Sequence, residues 1–400
     1  MRISEVIKPS RRVIQEAKGR EYQHCEDFLI FGSEEEGAKP GAEGGLVAVQ
    51  GLAAAASNPA QMNVKWDGSA SVFWGRNEQA EFLFAPLNQW NKKTPLNRQQ
   101  LSQEITQTGK PRPGQSEEEF HAGREQMASG YRKLWDIFEA ATPKNFRGYL
   151  NGDLMFTSRP DRDNQGNYEF TPNKVKYVVN PDGFAGKMAT AEVFVTVHGK
   201  IDQFGDTPTG NIYVVPDSVV EAFNRTPKLI VLPTQHPNMP VSADVKKIKQ
   251  AAQFIKRNQA GINAVANFTA PKMTTFTDIL YKYAVQRAKK SVSWDDWLPN
   301  SKLSANQLGI LDQSGITQGA EWKQFWQAFD MVLDIKHEVH NNLQKTHGED
   351  LYSKFGIRAF THDEPGGEGY VWALPGGQMA KMVNPKFRSA PDNPRYAQSS

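Results

Sequence analysis

Charged residues stand inside four apolar, strand-like stretches of this sequence, where charges are uncommon. They are Lys65 and Asp67 in "NVKWDG", Asp153 in "YLNGDLMF", Glu368 in "GGEGYVWAL" and Lys381 in "MAKMVN". Buried charges normally require a partner or a ligand. A lysine amine can act as a nucleophile or neutralise a phosphate, and carboxylates bind hard metal ions. The four stretches therefore supply a nucleophile, metal-binding carboxylates and a phosphate-neutralising cation.

The stretch around Lys65 allows two interpretations. In a strand, Lys65 and Asp67 point to the same face, and Gly68 leaves room for a close approach to the backbone. One interpretation is a catalytic lysine whose amine becomes reactive in a desolvated or cationic setting. The other is a structural lysine whose stem packs while its ammonium pairs with Asp67. The other three stretches, in their order along the chain, favour the catalytic interpretation.

This ordered set resembles the motifs of the covalent nucleotidyltransferases, the superfamily of ATP-dependent DNA and RNA ligases and mRNA capping enzymes. "KWDG" is similar to their nucleophile motif, "NGDL" to the next acidic motif, "EGYVWAL" to the metal-binding glutamate motif and "AKMVN" to the last motif. "AEVFVTVHG" is similar to the strand whose aromatic residue, here Phe194, stacks on the base. The resemblance covers roughly residues 60–204 and 361–388. The stretches "HCEDFLIFG" and "KWDGSASVFWG" also resemble phage-encoded members of the superfamily.

The resemblance implies a covalent lysyl-AMP intermediate. Lys65 would attack the α-phosphorus of ATP and release pyrophosphate, while Lys381 and Mg²⁺ or Mn²⁺ neutralise charge on the phosphoryl oxygens. Asp67 would orient Lys65 or contact the metal. Asp153 would hold the ribose hydroxyl or a metal-bound water, and Glu368 would bind the metal. In a ligase, AMP then passes to a polynucleotide 5′-phosphate, and a 3′-hydroxyl displaces it.

The sequence departs from the ligase pattern in several places. Asp153 stands where the family usually has glutamate, and Ala70 stands five residues after the lysine, where ligases carry Arg or Asn. The residue that the sequence offers in place of this Arg or Asn is Arg76. The predicted nucleotide-binding residues are then Lys65, Gly68, Arg76, Asp153, Phe194, Glu368 and Lys381. Only 12 residues follow Arg388, so no C-terminal OB-fold is expected. This argues for RNA or single-stranded substrates.

The function predicted from the sequence is therefore an ATP-dependent polynucleotide ligase with ATP and Mg²⁺ as cofactors. One alternative is an enzyme with the same chemistry, either a GMP-transferring capping enzyme or an AMPylator of another acceptor. The missing C-terminal domain disfavours capping. Another alternative is a nucleic-acid-binding or structural relative that has lost turnover.

Hydrophobic periodicity predicts the elements that must position these residues. Strands are expected at 62–75, 80–86, 148–156, 174–179, 191–199, 211–216, 228–233, 369–377 and 379–383. Helices are expected at 118–140, 243–258, 275–290 and 320–345. The predicted fold is α+β, similar to the ATP-grasp-like adenylation core of ligases, with antiparallel sheets and helices. We expect the core in 1–204, a mostly helical insert in 205–360, and the final motifs with a disordered tail in 361–400.

Charge and composition limit the partners. Lys plus Arg is 47 and Asp plus Glu is 44, so the net charge is only +3. Residues 242–290 nevertheless hold ten Lys or Arg against two Asp, which predicts a local surface for RNA or DNA ends. No apolar run is long enough for a membrane span, so no membrane partner is expected. The single cysteine, Cys25, favours the cytoplasm, or the host cytoplasm for a phage protein; the oligomeric state stays open.

Overall fold

A computed structural model describes residues 23–34, 36–59, 62–206, 215–233, 235, 237, 243–269, 273–312, 319–361, 364–374, 376 and 378–384. The chain forms two compact units. Among the described residues, unit 1 comprises Trp66–Gln235 and Asp350–Phe360, and unit 2 comprises 23–65, 237–349 and 361–384. Both contain helices and strands, so the fold is α+β, as predicted. The predicted strand at 211–216 and the tail after residue 384 lie wholly or largely outside the described residues.

Unit 1 is built on a five-stranded sheet. Its strands, in spatial order, are β4 (Phe82–Pro86), β3 (Ser71–Arg76), β5 (Gly148–Phe156), β8 (Val193–Ile201) and β9 (Leu229–Leu232). Neighbours are antiparallel except β8 and β9, which are parallel. A smaller antiparallel group consists of β6 (Tyr168–Phe170), β7 (Lys176–Val179) and β10 (Ile357–Thr361). The helices are α3 (Leu87–Asn91), α4 (Arg98–Gln107), α5 (Glu117–Ala141) and α6 (Asp217–Phe223).

Helix α5 covers one face of the large sheet of unit 1. Ser116 and Glu119 form a reciprocal capping box that fixes where α5 begins. Its apolar stripe, which includes Leu134 and Phe138, packs with Leu150 and Leu154 of β5 in one core cluster. The alternating pattern of β5 sends Leu150 and Leu154 to this face. The residues between them therefore project from the opposite face.

Unit 2 contains a four-stranded sheet under a layer of helices. The spatial order is β1 (Gln23–His24), β13 (Met379–Val383), β12 (Gly369–Ala373) and β2 (Met62–Lys65), with only β1 and β13 parallel. The first helices are α1 (Phe28–Phe31) and α2 (Ala42–Ser57). The later helices are α7 (Val245–Arg257), α8 (Gln259–Thr269), α9 (Met273–Lys290), α10 (Trp294–Trp297), α11 (Ala305–Asp312) and α12 (Ala320–Phe355), whose residues 350–355 are counted with unit 1. A two-residue strand, β11 (Glu364–Pro365), completes the list.

One face of the unit 2 sheet belongs to the core. Met62 of β2, Tyr370 and Trp372 of β12, and Ala380 and Met382 of β13 all pack in the same cluster as the apolar stripe of α12. Because side chains alternate along a strand, the residues between these five lie on the other face of the sheet. That other face carries Lys65 and Lys381.

Most predicted elements are confirmed, and one is wrong. The expected helices at 118–140, 243–258, 275–290 and 320–345 correspond to α5, α7, α9 and α12. The single strand predicted at 62–75 is instead two strands, β2 and β3, one in each unit. The predicted division at 205 and 361 runs in sequence order, whereas the two compact units interleave along the chain. Within the described residues, no helix is both long and apolar enough to cross a membrane.

Candidate functional site

Lys65 is the last residue of β2 and forms a close ion pair. Its Nζ lies 2.6 Å from Oε1 of Glu368, and the two side chains are 29% and 9% exposed. The register explains this contact, because Gly369, the first residue of β12, pairs with Lys65 across the sheet. Only glycine fits at position 369, since a Cβ there would lie 2.1 Å from the carbonyl oxygen of Met382 on β13. Sheet pairing thus brings together two predicted site residues that are about 300 positions apart.

Lys381 lies on the same face of this sheet as Lys65. In the β12–β13 register Lys381 pairs with Val371, and in the β12–β2 register Val371 pairs with Asn63. Lys65 is two residues beyond Asn63, so the two lysines share a face. They are two strands and two residues apart, which places their Cα atoms about 12 Å from each other. Both ammonium groups can therefore approach one small anion held above Val371.

The same row of the sheet holds two polar residues that the predicted site did not include. His24 of β1 pairs with Lys381, so His24, Lys381, Val371 and Asn63 form one row across four strands. Asn63 is 7% exposed, and no donor within the described part of the chain reaches its Oδ1. The sequence signal for Asn63 is its position two residues before Lys65, which places both on one face of a strand.

Asp153 lies on the sheet of unit 1 and has two polar neighbours there. Its Oδ2 is 2.9 Å from Nε2 of His198, and its Oδ1 accepts a hydrogen bond from the hydroxyl of Ser71. Ser71 pairs directly with Asp153 in the β3–β5 register. In a Ser-His-Asp triad the histidine lies between the other two. Here the aspartate lies between them, so this cluster is not arranged as a hydrolase triad.

A β-bulge places His198 beside Asp153. Asn151 pairs with Gly199 and Gly152 pairs with Val197, so His198 is the extra residue between them. Val197 belongs to the core on the α5 face, whereas His198 is directed to the face of Asp153. Bulges re-aim single side chains in this way and are frequent beside functional sites. The signal in "TVHGK" is Gly199, because a glycine inside a strand often marks a bulge. The sequence prediction did not use it and missed both His198 and Ser71.

The structure corrects the expected position of Asp67. The prediction that Asp67 shares a strand face with Lys65 is wrong, because β2 ends at Lys65. Asp67 is 3% exposed, and its carboxylate accepts hydrogen bonds from Nδ2 of Asn173 and from the backbone N–H groups of Lys174 and Val175, at 2.8, 2.5 and 2.7 Å. These contacts anchor the loop after Lys65 to the chain before β7. The observed role of Asp67 is therefore to fix this loop.

Gly68 confirms the need for a close backbone approach. A Cβ at this position would lie 2.4 Å from Cβ of Asp153 and 3.2 Å from the carbonyl oxygen of Leu154. The backbone N–H of Ser69 donates to that carbonyl at 3.0 Å. The loop that follows Lys65 is thus packed directly on the strand that carries Asp153. Only glycine allows this contact without displacing the carboxylate.

Two residues of the predicted nucleotide-binding set have other tasks in the structure. The buried guanidinium of Arg76 donates to the carbonyl oxygens of Ala80, Glu139, Thr142 and Pro143, and so caps the C-terminal end of α5. With its donors turned to these carbonyls, Arg76 does not replace the missing ligase arginine. We therefore leave it out of the proposed site.

Phe194 is an interior residue. It is fully buried, and its ring lies 5.7, 5.8 and 5.1 Å from the rings of Phe156, Phe170 and Phe184. A stacking platform needs an open ring face, and Phe194 has none. We leave it out as well. Ala70, where ligases carry Arg or Asn, packs against the core on the α5 side, so this position does not face Asp153.

The site offers single carboxylates for a metal ion and, among the described residues, no closed cage. Among the described residues, no group of three or more His, Cys, Asp or Glu side chains is gathered around one point. Mg²⁺ commonly uses one or two carboxylates and completes its shell with water and substrate phosphate oxygens. Glu368 and Asp153 each fit the role of such a single carboxylate ligand. The donor set suits Mg²⁺ bound together with a phosphorylated substrate.

Part of the predicted basic surface is neutralised by acidic residues of α12. Lys247 pairs with Glu338, and Arg287 pairs with Asp330 and Asp334. The sequence count missed these acids because they lie outside 242–290. The exposed cations that remain in the described part are mostly on α7, namely Lys246, Lys249, Lys256 and Arg257. Lys272 and the side chain of Lys289 lie outside the described set.

A comparison with protein families gives one match. A family model described as "Family of unknown function (DUF6267)" matches residues 21–293, which is more than half of the chain. The chain therefore belongs to the DUF6267 family. No curated protein and no solved structure matches it.

Proposed function

We propose that this member of the DUF6267 family is a covalent nucleotidyltransferase, and specifically an ATP-dependent polynucleotide ligase. The observation that carries the proposal is the arrangement of Lys65 on β2, Lys381 on β13 and Glu368 directly before β12, the strand between them. Each occupies the position at which the sequence resembles a nucleotidyltransferase motif. The α+β fold with antiparallel sheets is compatible with the adenylation core of ligases.

The ion pair supports a specific first step. An ammonium cannot attack phosphorus, so Lys65 must first lose a proton, and Glu368 at 2.6 Å is placed to accept it. The neutral amine then attacks the α-phosphorus of ATP, a nitrogen–phosphorus bond forms, and the bond to pyrophosphate breaks. Lys381, on the same face, neutralises charge that develops on the phosphoryl oxygens. Bound Mg²⁺ would supply further neutralisation of the phosphates, with Glu368 as a ligand once the proton has left.

The proposal also gives a role to Asp153, which belongs to unit 1. The resemblance implies that it holds a ribose hydroxyl or a metal-bound water. Ser71 and His198 support this role, because they fix both carboxylate oxygens on the sheet face. Asp67 and Gly68 act as positioning residues, since they hold the loop after Lys65 against the strand of Asp153.

In the second stage AMP passes from Lys65 to the 5′-phosphate of RNA or DNA. We propose that the exposed cations of α7 contribute to holding the strand, because phosphate contacts from Lys and Arg dominate nucleic-acid affinity. The cytoplasm is the compartment that fits this activity. Transfer of GMP is the alternative that the experiment below separates by the nucleotide that gives label, whereas transfer of AMP to another acceptor shares the same lysyl-AMP intermediate.

The test is covalent labelling. The protein is incubated with Mg²⁺ or Mn²⁺ and α-labelled ATP or GTP, denatured, and examined for protein-bound label. We expect label from ATP, and none in Lys65→Ala. The matched control is Lys345→Ala, which removes an exposed lysine of α12. If neither nucleotide labels the wild-type protein, the proposed nucleotidyltransferase activity is refuted. If label persists in Lys65→Ala, the assignment of Lys65 as the nucleophile is refuted. Label from GTP alone supports the capping alternative.

Two further variants test the roles of the neighbours. Glu368→Gln keeps the shape but cannot accept the proton, so the labelling rate should fall by about 10²–10⁴. Lys381→Met should lower the same rate by about 10²–10³ through lost charge stabilisation. If the labelling rate of either variant falls no more than that of Lys345→Ala, the residue changed in that variant has no role in the mechanism.

A further inference from the structure

A cavity of about 790 Å³ lies in unit 1, away from the residues of the proposed reaction. It is formed by the end of α5, the segment Pro143–Arg147, Lys200 of β8 and the region of α6. Lys200 pairs with Leu150, which faces α5. Asp153 and His198 project from the opposite face of the sheet. The cavity is therefore a separate site on the other side of β5 and β8.

Three cations line this cavity, namely Arg147, Lys200 and Arg225, and the described lining residues include no Asp or Glu. Arg225 has no ion-pair or hydrogen-bond partner among the described residues. Arg147 uses one guanidinium nitrogen on the carbonyls of Lys144 and Phe146, which leaves other donors for a ligand. Lys200 pairs at 3.1 Å with Asp202, whose side chain is 87% exposed. Such exposed pairs are weak, so a bound anion can compete for Lys200.

The helix end beside the cavity does not oppose an anion. The C-terminal carbonyls of a helix carry partial negative charge, which would repel a phosphate near the end of α5. The guanidinium of Arg76 neutralises this end by donating to the carbonyls of Glu139, Thr142 and Pro143. Arg76 thus offsets the partial negative charge of this helix end.

The remaining wall is apolar. Phe146 packs edge-to-face on Phe223 with ring centroids 5.2 Å apart, and Val215 and Val219 lie beside them. A ligand that satisfies both walls needs an anionic group and a flat, largely apolar part. Pockets of a few hundred to about 1,000 Å³ are typical for ligands of this size.

We infer that this cavity binds one nucleotide unit, with the phosphate on Arg147, Lys200 and Arg225 and the base against Phe146. The rim residues Arg147, Ser218 and Arg225 are exposed, so the unit can belong to a single strand of nucleic acid that continues beyond the cavity. A free nucleotide carries the same phosphate and base and is the other possible ligand, which the second experiment below distinguishes from a nucleic-acid strand. The inference does not depend on the lysyl-AMP reaction.

Binding is tested with a short fluorescent single-stranded RNA and fluorescence anisotropy. Arg147→Glu/Arg225→Glu should weaken binding at least about tenfold at about 50 mM salt and lower the salt slope by about 0.7, because both side chains contact the same phosphate and one lost phosphate contact contributes about 0.7. The control is Lys110→Glu/Arg112→Glu, which makes the same charge change at exposed positions of unit 1 away from the cavity. Equal affinities in the two double variants would overturn the inference.

Thiol footprinting on the folded protein separates the two sources. The chain has one cysteine, Cys25, and burial raises the pKa of its thiol, so Cys25 stays unreactive. Ser218→Cys places one reactive thiol in the cavity wall and keeps all three cations. If RNA slows modification of the introduced thiol and AMP does not, the ligand of the cavity is a nucleic-acid strand. If AMP alone slows it, the ligand is a free nucleotide. An unchanged rate with both would contradict the inference, while lysyl-AMP labelling of these variants should equal that of the wild type.

Discussion

Replacing Lys336 with methionine should strongly destabilise unit 2, although the residue does not touch the proposed substrate site. Lys336 of α12 and Glu26 are both 1% exposed at the side chain, and Nζ contacts both carboxylate oxygens at 2.8 Å. Removing one partner of a buried pair leaves the other charge desolvated, which costs about 3–5 kcal/mol. Lys336→Met should therefore lower the opening free energy of the unit 2 core by that amount.

The double variant Glu26→Leu/Lys336→Met separates a buried charge from lost packing. It replaces both charges with apolar side chains of similar volume, and such replacements are often neutral or stabilising. Most of the loss seen in Lys336→Met should then be recovered. Hydrogen–deuterium exchange of peptides that cover residues 23–31 and α12 measures the opening directly.

Lys247→Met is the matched control for this cycle, because it makes the same substitution at a lysine that also pairs with α12. The pair of Lys247 with Glu338 is exposed, with side-chain exposures of 53% and 26%, so exchange should change little. If Lys336→Met exchanges no faster than Lys247→Met, the buried pair does not carry the energy assigned to it. If the double variant is as unstable as Lys336→Met, the loss is one of packing.

Three further predictions concern single residues. Burial lowers the pKa of His340 to about 4, below its unfolded value near 6.5, so between these pH values the unfolded state binds more protons. The free energy of unfolding should therefore fall by about 3 kcal/mol as the pH drops from 6.5 to 4. Urea titrations of His340→Leu should show a flatter dependence of stability on pH. Arg76→Met leaves the carbonyls at the end of α5 without donors and should cost on the order of 3 kcal/mol in urea titrations. Gly68→Ala should displace Asp153 and lower the lysyl-AMP labelling rate about tenfold or more, whereas Gly123→Ala, where a Cβ meets nothing, should not.

Each of these predictions can fail visibly. A pH profile of His340→Leu that matches the wild type would assign the acid sensitivity to other groups. Unchanged stability of Arg76→Met would mean that water replaces the guanidinium at the end of α5. Normal labelling by Gly68→Ala would show that the position of Asp153 does not affect the reaction.

The sequence predicts the elements of this fold better than it predicts the surroundings of single charges. The apolar stretch "GYLNGDLMF" identifies β5 and places Asp153 within it, but its consecutive apolar residues do not show which face Asp153 occupies. The end of β2 at Lys65 was not predictable, because it depends on Asp67 accepting hydrogen bonds from residues more than 100 positions later. Tertiary contacts, rather than local propensity, decide where this strand stops.

Burial on both faces of a strand also limited the site prediction. The resemblance assigned Phe194 to base stacking, which needs an open ring face. In the structure Val193 and Val195 face the α5 core, and a second aromatic cluster covers Phe194 on the other face. Arg76 was predicted to substitute for the missing ligase arginine, because the sequence does not show the carbonyls at the end of α5, 63 or more positions away, to which its guanidinium donates. A single sequence shows the alternation of side chains but not what lies above each face.

Asn63 helps to decide between a catalytic and a structural explanation of the Lys65 ion pair. A structural pair needs no further polar group beside it, and a buried acceptor without a donor costs about 1–3 kcal/mol. Asn63 is 7% exposed, its Oδ1 lacks a donor in the described part of the chain, and it shares the sheet face of Lys65 and Lys381. The face is partly open, since the Lys65 side chain is 29% exposed, and two lysines, a carboxylate and an amide oxygen without a described donor are unfavourable as a purely structural cluster. As a surface for an anionic ligand that brings its own donors they are complementary, and this favours substrate binding as the reason for the ion pair.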